Sequence, residues 1–190
     1  GMFAFGLWDR NQNTLFIARD RLGIKPLYYA LLKNGLFIFS SELKAIHTHP
    51  EFVKEFDHFA IEEYFAYGYI PEPRTIYKDA QKLSPGYSIK LSPHSNQIQP
   101  RQYWDVPVTP HTDMSEQLVE QELIARFREA VDIHLMSEVP LGAFLSGGVD
   151  SSAVVAMMSG LMKDPVNTCS ISFANPVFDE SKYAQEVAHR

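Results

Sequence analysis

Ser146-Gly147-Gly148-Val149-Asp150-Ser151-Ser152 is the stretch of this 190-residue chain whose residue types and spacing can do chemistry. Paired glycines let a backbone approach a phosphate closely, and the hydroxyls of Ser146 and Ser151 add donors. A carboxylate beside bound phosphates is repelled unless a cation bridges them. Asp150 therefore points to Mg2+, which takes oxygen ligands from carboxylate and phosphate together. The loop follows the apolar run 141–145, a strand, and precedes 151–161, a helix. That is where an α/β sheet binds ligands: outside the carboxyl end of a strand, where free N–H groups and the helix dipole favour negative charge. The plainer alternative is a turn in which Asp150 and Ser151 cap the helix.

Other catalytic loops do not fit. A Walker loop needs a lysine, and none stands between Gly142 and Ser152. A nucleophile elbow needs glycines two residues either side of its serine, and Phe144 occupies the first of those places. Ser-Gly-Gly-x-Asp-Ser instead resembles the signature of the PP-loop ATP pyrophosphatases, whose members cleave ATP between its α- and β-phosphates. Elsewhere, Cys169, the single cysteine, lies in an apolar run and reads as a small buried hydrophobe. His47 and His49 alternate as metal ligands do, but without a third ligand at a suitable spacing they read as solvated or capping groups. Arg19, Asp20, Arg21 and Lys25 form a charged cluster in a loop punctuated by Gly23 and Pro26.

The elements that must hold these groups come in two styles. Residues 3–8 and 14–18 flank the polar turn 9–13 as a hairpin. Residues 27–32 and 36–39 flank Asn34-Gly35, the dipeptide that most readily forms a type I′ turn, as a second. A short helix around 42–46 ends before Pro50, and Asp57 caps a helix that carries Ile61, Tyr64 and Phe65 and stops at Gly68. Pro71, Pro73 and Pro85 keep the chain irregular up to strands at 87–91 and 98–104, around the turn-forming residues 92–96. Residues 105–115 hold prolines and threonines without an apolar period and read as a linker. Beyond it, Leu123, Phe127, Val131 and Leu135 recur every four residues as a core-facing stripe on a helix capped by Ser115 or Asp113. Strand 141–145, helix 151–161, strand 166–173 and helix 180–190 then begin a doubly wound parallel sheet. The chain opens inside a strand and stops inside a helix, so that sheet is expected to be unfinished.

Composition sets outer bounds. A chain 45% hydrophobic and 21% charged buries a core. A net charge of −6 disfavours nucleic acid as the main partner, because phosphate backbones need a basic surface. There is no apolar run of the roughly 20 residues a spanning helix needs. With one cysteine and no signal-peptide pattern, the expected location is the cytoplasm, away from membranes.

Two further stretches narrow the family. Arg19-Asp20-Arg21-Leu22-Gly23-Ile24-Lys25-Pro26-Leu27-Tyr28-Tyr29, followed by Ser41-Glu42-Leu43-Lys44-Ala45, resembles the late part of the class II glutaminase domain of asparagine synthetases. His134-Leu135-Met136-Ser137-Glu138-Val139-Pro140, running into the phosphate loop, resembles the opening of their synthetase domain. The resemblance implies an α+β then α/β chain. Residues 1–104 would be the C-terminal part of an αββα glutaminase-type domain, 105–115 a linker, and 116–190 the N-terminal part of a PP-loop doubly wound parallel-sheet domain, the whole an internal fragment. By the same resemblance Ser146, Gly147, Gly148, Asp150 and Ser151 hold the phosphates of ATP, with Asp150 on Mg2+. Phe144 and Ile171 stand near the adenosine, although family members usually carry an aliphatic residue in place of Phe144, and the charged cluster shapes the glutaminase core.

The reaction implied uses ATP, aspartate and glutamine: aspartate is adenylated to β-aspartyl-AMP and ammonia from glutamine displaces AMP. The family's glutaminase nucleophile is a cysteine next to the initiator methionine. Met2 stands at position 2 here and the only thiol is Cys169, and by the resemblance the synthetase elements that hold pyrophosphate and aspartate lie beyond Arg190, so neither catalytic set is expected to be complete in this chain. A homodimer is one assembly the resemblance allows. The alternatives are a related amide ligase, such as a β-lactam synthetase-like enzyme, and a non-catalytic nucleotide-binding module. A tRNA-modifying PP-loop enzyme would require a basic domain.

Overall fold

The computed structural model describes residues 1–93, 98–109 and 113–190, and it divides into two compact units, Gly1–Val108 and Thr109–Arg190. The first unit holds β1 (Ala4–Asp9), β2 (Thr14–Arg19), β3 (Tyr28–Leu31), β4 (Phe37–Ser40), α1 (Leu43–His47), α2 (His58–Tyr67), β5 (Ala80–Lys82), β6 (Tyr87–Leu91) and β7 (Arg101–Gln102). The second holds α3 (Glu116–His134), β8 (Gly142–Phe144), α4 (Val149–Leu161), β9 (Asn167–Cys169) and α5 (Ser181–Ala188). The chain is thus a mixed α/β structure with antiparallel sheets in its first unit.

Those sheets run β1-β2-β6-β7 and β4-β3-β5. The Asp9 carboxylate accepts from the N–H groups of Asn11 and Gln12, and Asn13 takes a φ of 49°, which closes the first hairpin over the expected polar turn. Alternation along β3 gives each face of its sheet a core. Tyr29 joins Ile17, Leu27, Leu83 and Ile89 in one cluster, while its neighbour Ala30 joins Leu32, Ile46, Phe52 and Ala80 in another. Ile17 and Ile89 come from the other sheet, so the first cluster lies between the two sheets, and Ile46 of α1 covers the far side. Each fully buried isoleucine stabilises the unit by roughly 1.5–3 kcal/mol.

Several local expectations are corrected. The second hairpin does not turn on a type I′ Asn34-Gly35 pair. Gly35 alone takes a positive φ, of 86°, its N–H donates to Leu32 O at 2.9 Å, and Asn34 is occupied in accepting from Leu36 N–H and bonding Glu51. This longer turn leaves the left-handed position to glycine. The strand expected at 98–104 shrinks to Arg101–Gln102, because the N–H groups of Tyr103 and Trp104 both turn to Gly86 O. A Cβ on Gly86, at φ 70°, would stand 2.5 Å from Trp104 O, so this bend requires glycine. The short strand β5 falls where prolines suggested irregular chain. Of the turn expected at 92–96, residues 94–96 lie outside the described residues. Asp57 caps α2 through Phe59 and Ala60 N–H, and Gly68 ends it at φ 78°.

In the second unit Ser115 caps α3 by accepting from Leu118 N–H. The expected stripe on α3 is only partly realised: Val131 is buried, whereas Leu123 is 66% exposed. Ala130, Val131 and Leu135 lie near Val154 and Met158 of α4, so packing between these helices involves the last turns of α3. The core is Leu145, Val155 and Ala184, with Ala143, Val166 and Val187 packed around it. β8 and β9 pair in parallel, Phe144 opposite Cys169, and both are three residues long, shorter than expected. Linker positions 110–112 lie outside the described residues, and the described residues 105–109 and 113–115 form neither helix nor strand.

Candidate phosphate site at the start of α4

The exit of β8 is fixed before the loop begins. Leu145 is buried, its N–H donates to Cys169 O at 2.9 Å, and its O accepts from Ser170 Oγ at 2.6 Å. The loop then braces itself. Ser146 Oγ lies 3.0 Å from Ser151 Oγ and accepts from Gly148 N–H at 3.3 Å, while Ser151 Oγ donates to Gly148 O at 3.2 Å and accepts from Ser146 N–H. Gly147 takes a φ of 81°, and a Cβ there would stand 2.5 Å from the Cβ and carbonyl carbon of Tyr183. Only glycine fits that position. Gly148 is the N-cap of α4 and no side-chain hydrogen bond caps the helix. Among the described residues no first-turn N–H of α4 donates to Asp150 or Ser151, contrary to the plainer alternative, so these groups remain for an anion.

The expected site residues are distributed around this loop. Ser146, Gly147, Gly148 and Ser151 form it. Asp150 lies exposed in the first turn of α4, and its carboxylate has neither hydrogen bond nor ion pair among the described residues. A free carboxylate at a bare helix N-terminus suits a cation shared with phosphate oxygens. Among the described residues no three metal-binding side chains cluster, so most ligands of such an ion would come from phosphate or water. Phe144 and Ile171, 79% and 68% exposed, line a hollow of about 300 Å3 together with Ser146 and Cys169. Gly147 faces the other side, lining a hollow of about 670 Å3 with Ser152 and Tyr183.

Three features escaped the sequence. Cys169 is exposed, not a buried hydrophobe, because it ends β9 at the carboxyl edge of the strand pair and borders the smaller hollow. Gly147 rests on the first turn of α5, a contact between residues 36 positions apart for which the sequence has no local signal. The charged cluster of the first unit also divides in two. Arg21 and Lys25 are exposed, but Arg19 and Asp20 retain only 7% and 2% exposure. Arg19 donates to Lys25 O, Gly23 O, Leu83 O and the Glu72 carboxylate at 2.6–2.8 Å. Asp20 accepts from the N–H groups of Phe3, Leu22, Ile24 and Lys25 at 2.9–3.3 Å. Burial works to raise the Asp20 pKa, yet these four donors hold it below the ordinary 3.8. Arg19 and Asp20 thus form a buried polar knot, while Arg21 and Lys25 stay at the surface. His47 Nδ1 lies 2.6 Å from the Tyr77 hydroxyl, and His49 Nδ1 accepts from Glu51 N–H.

Residues 1–104 match the family model described as glutamine amidotransferase domain. The chain belongs to the glutamine amidotransferase domain family. Residues 122–190 of this amidotransferase-family chain match a second model, asparagine synthase. "Asparagine synthetase [glutamine-hydrolyzing] 3" of Bacillus subtilis is 37% identical over 99% of this chain and 30% of its own length. "Putative asparagine synthetase [glutamine-hydrolyzing] 2" of Methanocaldococcus jannaschii is 39% identical over 98% of the chain and 36% of its own length. "Amidase chyE" of Penicillium rubens is 33% identical over 99% of the chain and 29% of its own length. The chain thus spans about a third of the length of these relatives. Among the described residues no helix is long and apolar enough to cross a membrane.

Proposed function

We propose that this chain is part of an ATP-dependent amide ligase that makes asparagine from aspartate and glutamine-derived ammonia. The supporting observation is the bare N-terminus of α4, reached through a self-braced Ser-Gly-Gly loop, in a chain similar to glutamine-hydrolysing asparagine synthetases on both sides of residues 105–115. In this reading residues 1–104 are the C-terminal part of an αββα glutaminase-type domain. Residues 116–190 open a PP-loop doubly wound domain, and 105–115 link the two. The protein would act in the cytoplasm on small molecules.

The loop's N–H groups would receive the β- and γ-phosphates of ATP. The Ser146 and Ser151 hydroxyls, already 3.0 Å apart, would exchange their mutual bond for phosphate oxygens. Asp150 would hold Mg2+, which neutralises the charge of the departing pyrophosphate when bound. Phe144 and Ile171 would flank the nucleoside. The aspartate β-carboxylate attacks the α-phosphorus, the bond to the β-phosphate oxygen breaks, and pyrophosphate leaves with its electron pair. Ammonia, formed with glutamate from glutamine and water, then attacks the acyl carbon of β-aspartyl-AMP. AMP leaves, one proton is lost, and asparagine remains.

The test is product formation by the full polypeptide that carries this segment, given aspartate, glutamine and MgATP. The expected result is asparagine, pyrophosphate and AMP in equal amounts, with pyrophosphate release requiring aspartate. Glutamine consumption without aspartate-dependent pyrophosphate would contradict it. That outcome would favour a second reading, suggested by the relative named an amidase, in which the acid substrate is another carboxylate or absent.

A further inference from the structure

The phosphate loop has a support that its own sequence does not contain. At Gly147 the loop lies against the first turn of α5, close enough that a Cβ would stand 2.5 Å from the Tyr183 carbonyl carbon and 2.7 Å from Ala184 N. Ala184 is itself buried in the core with Leu145, the residue that leads into the loop. The place of this turn therefore dictates where Gly147 can be, and so where the loop's N–H groups point.

Asp179 ties down the start of this turn. Its Oδ1 accepts from Ser181 N–H at 3.3 Å and from Phe173 N–H at 3.4 Å, and its Oδ2 accepts from Ser181 Oγ at 2.9 Å. One carboxylate thus ties the chain leaving β9 to the start of α5. The tie lies on the loop connecting them and outside the site residues already named. The Ser181 hydroxyl foremost, then the backbone donors, holds the Asp179 pKa below its ordinary value, so the group stays ionised and accepts all three bonds near neutrality.

We propose that Asp179 is a positioning residue for the phosphate loop, acting through the first turn of α5 on Gly147; the proposal rests on the reading of Ser146–Ser151 as a phosphate site. Loss of the tie frees the α5 turn and loosens the loop, so it weakens any ligand held through phosphates and leaves the fold of the unit in place.

The experiment measures binding of MgATP and of magnesium tripolyphosphate to the 190-residue chain by equilibrium dialysis, with thermal unfolding followed alongside. Asp179→Ala is expected to weaken both ligands by the same factor, about tenfold, the lower end of what outer-shell partners contribute to a site. Asp179→Asn keeps an oxygen for the two N–H groups and an amide for the Ser181 hydroxyl, and is expected to restore binding to within about twofold of wild type. Unchanged affinity in Asp179→Ala, or loss of ATP without loss of tripolyphosphate, would overturn the proposal. Failure of Asp179→Asn to rescue would do the same. Should Asp179→Ala fail to fold, Ser181→Ala is read instead, with the same-direction loss expected and wild-type binding contradictory. Absence of phosphate binding by the wild-type chain would overturn the phosphate-loop reading along with this one.

Discussion

Replacing Asp20 by asparagine changes one oxygen to an amide in a pocket built for a carboxylate. Oδ1 receives Leu22 and Ile24 N–H, and Oδ2 receives Phe3 and Lys25 N–H. Whichever way the new amide is turned, its NH2 group faces two N–H donors, and two hydrogen bonds to a charged acceptor are lost. At roughly 1.5–3 kcal/mol each, the loss is about 3–6 kcal/mol, a large part of the roughly 5–15 kcal/mol that stabilises a typical domain. Trp8 and Trp104 are the chain's two tryptophans, and both belong to the first unit, so their fluorescence during urea unfolding reports that unit selectively. The expected result is a midpoint lowered in proportion, with the slope unchanged. Acid adds a second check. The folded pKa of Asp20 lies below the unfolded one, so its contribution is full above the unfolded value, near 3.8, and disappears as pH falls through the folded value. The gap between wild type and Asp20→Asn should therefore narrow below that pH. A loss under about 1 kcal/mol at neutral pH would refute the reasoning that the four donors depend on a charged acceptor.

Limited proteolysis should cut first within residues 105–115, whose described positions carry no helix or strand; first cleavage inside 3–39 would contradict the division into two units. Gly147→Ala forces a left-handed side chain into the α5 backbone and should destabilise the second unit by at least ~1–2 kcal/mol, read by circular dichroism; a variant as stable as wild type would show that the loop is free to move away. The 190-residue chain alone should release no glutamate from glutamine, since Cys169 forms no hydrogen bond or ion pair with a basic side chain among the described residues. Turnover abolished by Cys169→Ala would reveal an unforeseen thiol site.

What the sequence revealed was local chemistry. Asp57 and Gly68 bound α2 because a cap and a left-handed stop act within a few residues, and the candidate phosphate loop stood out because glycines, serines and an aspartate fall within seven positions. What it concealed depends on distant partners. Gly86 ends β7 by meeting Trp104, Arg19 reaches Leu83, and Gly147 meets Tyr183, none of which a periodic pattern registers. The stripe on α3 misled for the same reason: period four shows an apolar face without showing what covers it, and at Leu123 no described neighbour does so. Asp179 and Ser181 at the start of α5 are a polar pair that could have been read as an anchor, although their link to the loop required the fold.

The most direct test of the phosphate-site account is equilibrium binding of ATP to the 190-residue chain with Mg2+ and with the metal chelated, in wild type and Asp150→Asn. Asp150 is exposed and, among the described residues, unpaired, so the substitution should leave the unfolding midpoint in place. The account predicts that wild type binds ATP more tightly with Mg2+ than without, and that Asp150→Asn loses this difference. Equal Mg2+ dependence in the two proteins would contradict the role of Asp150, and no ATP binding by wild type under either condition would contradict the site itself.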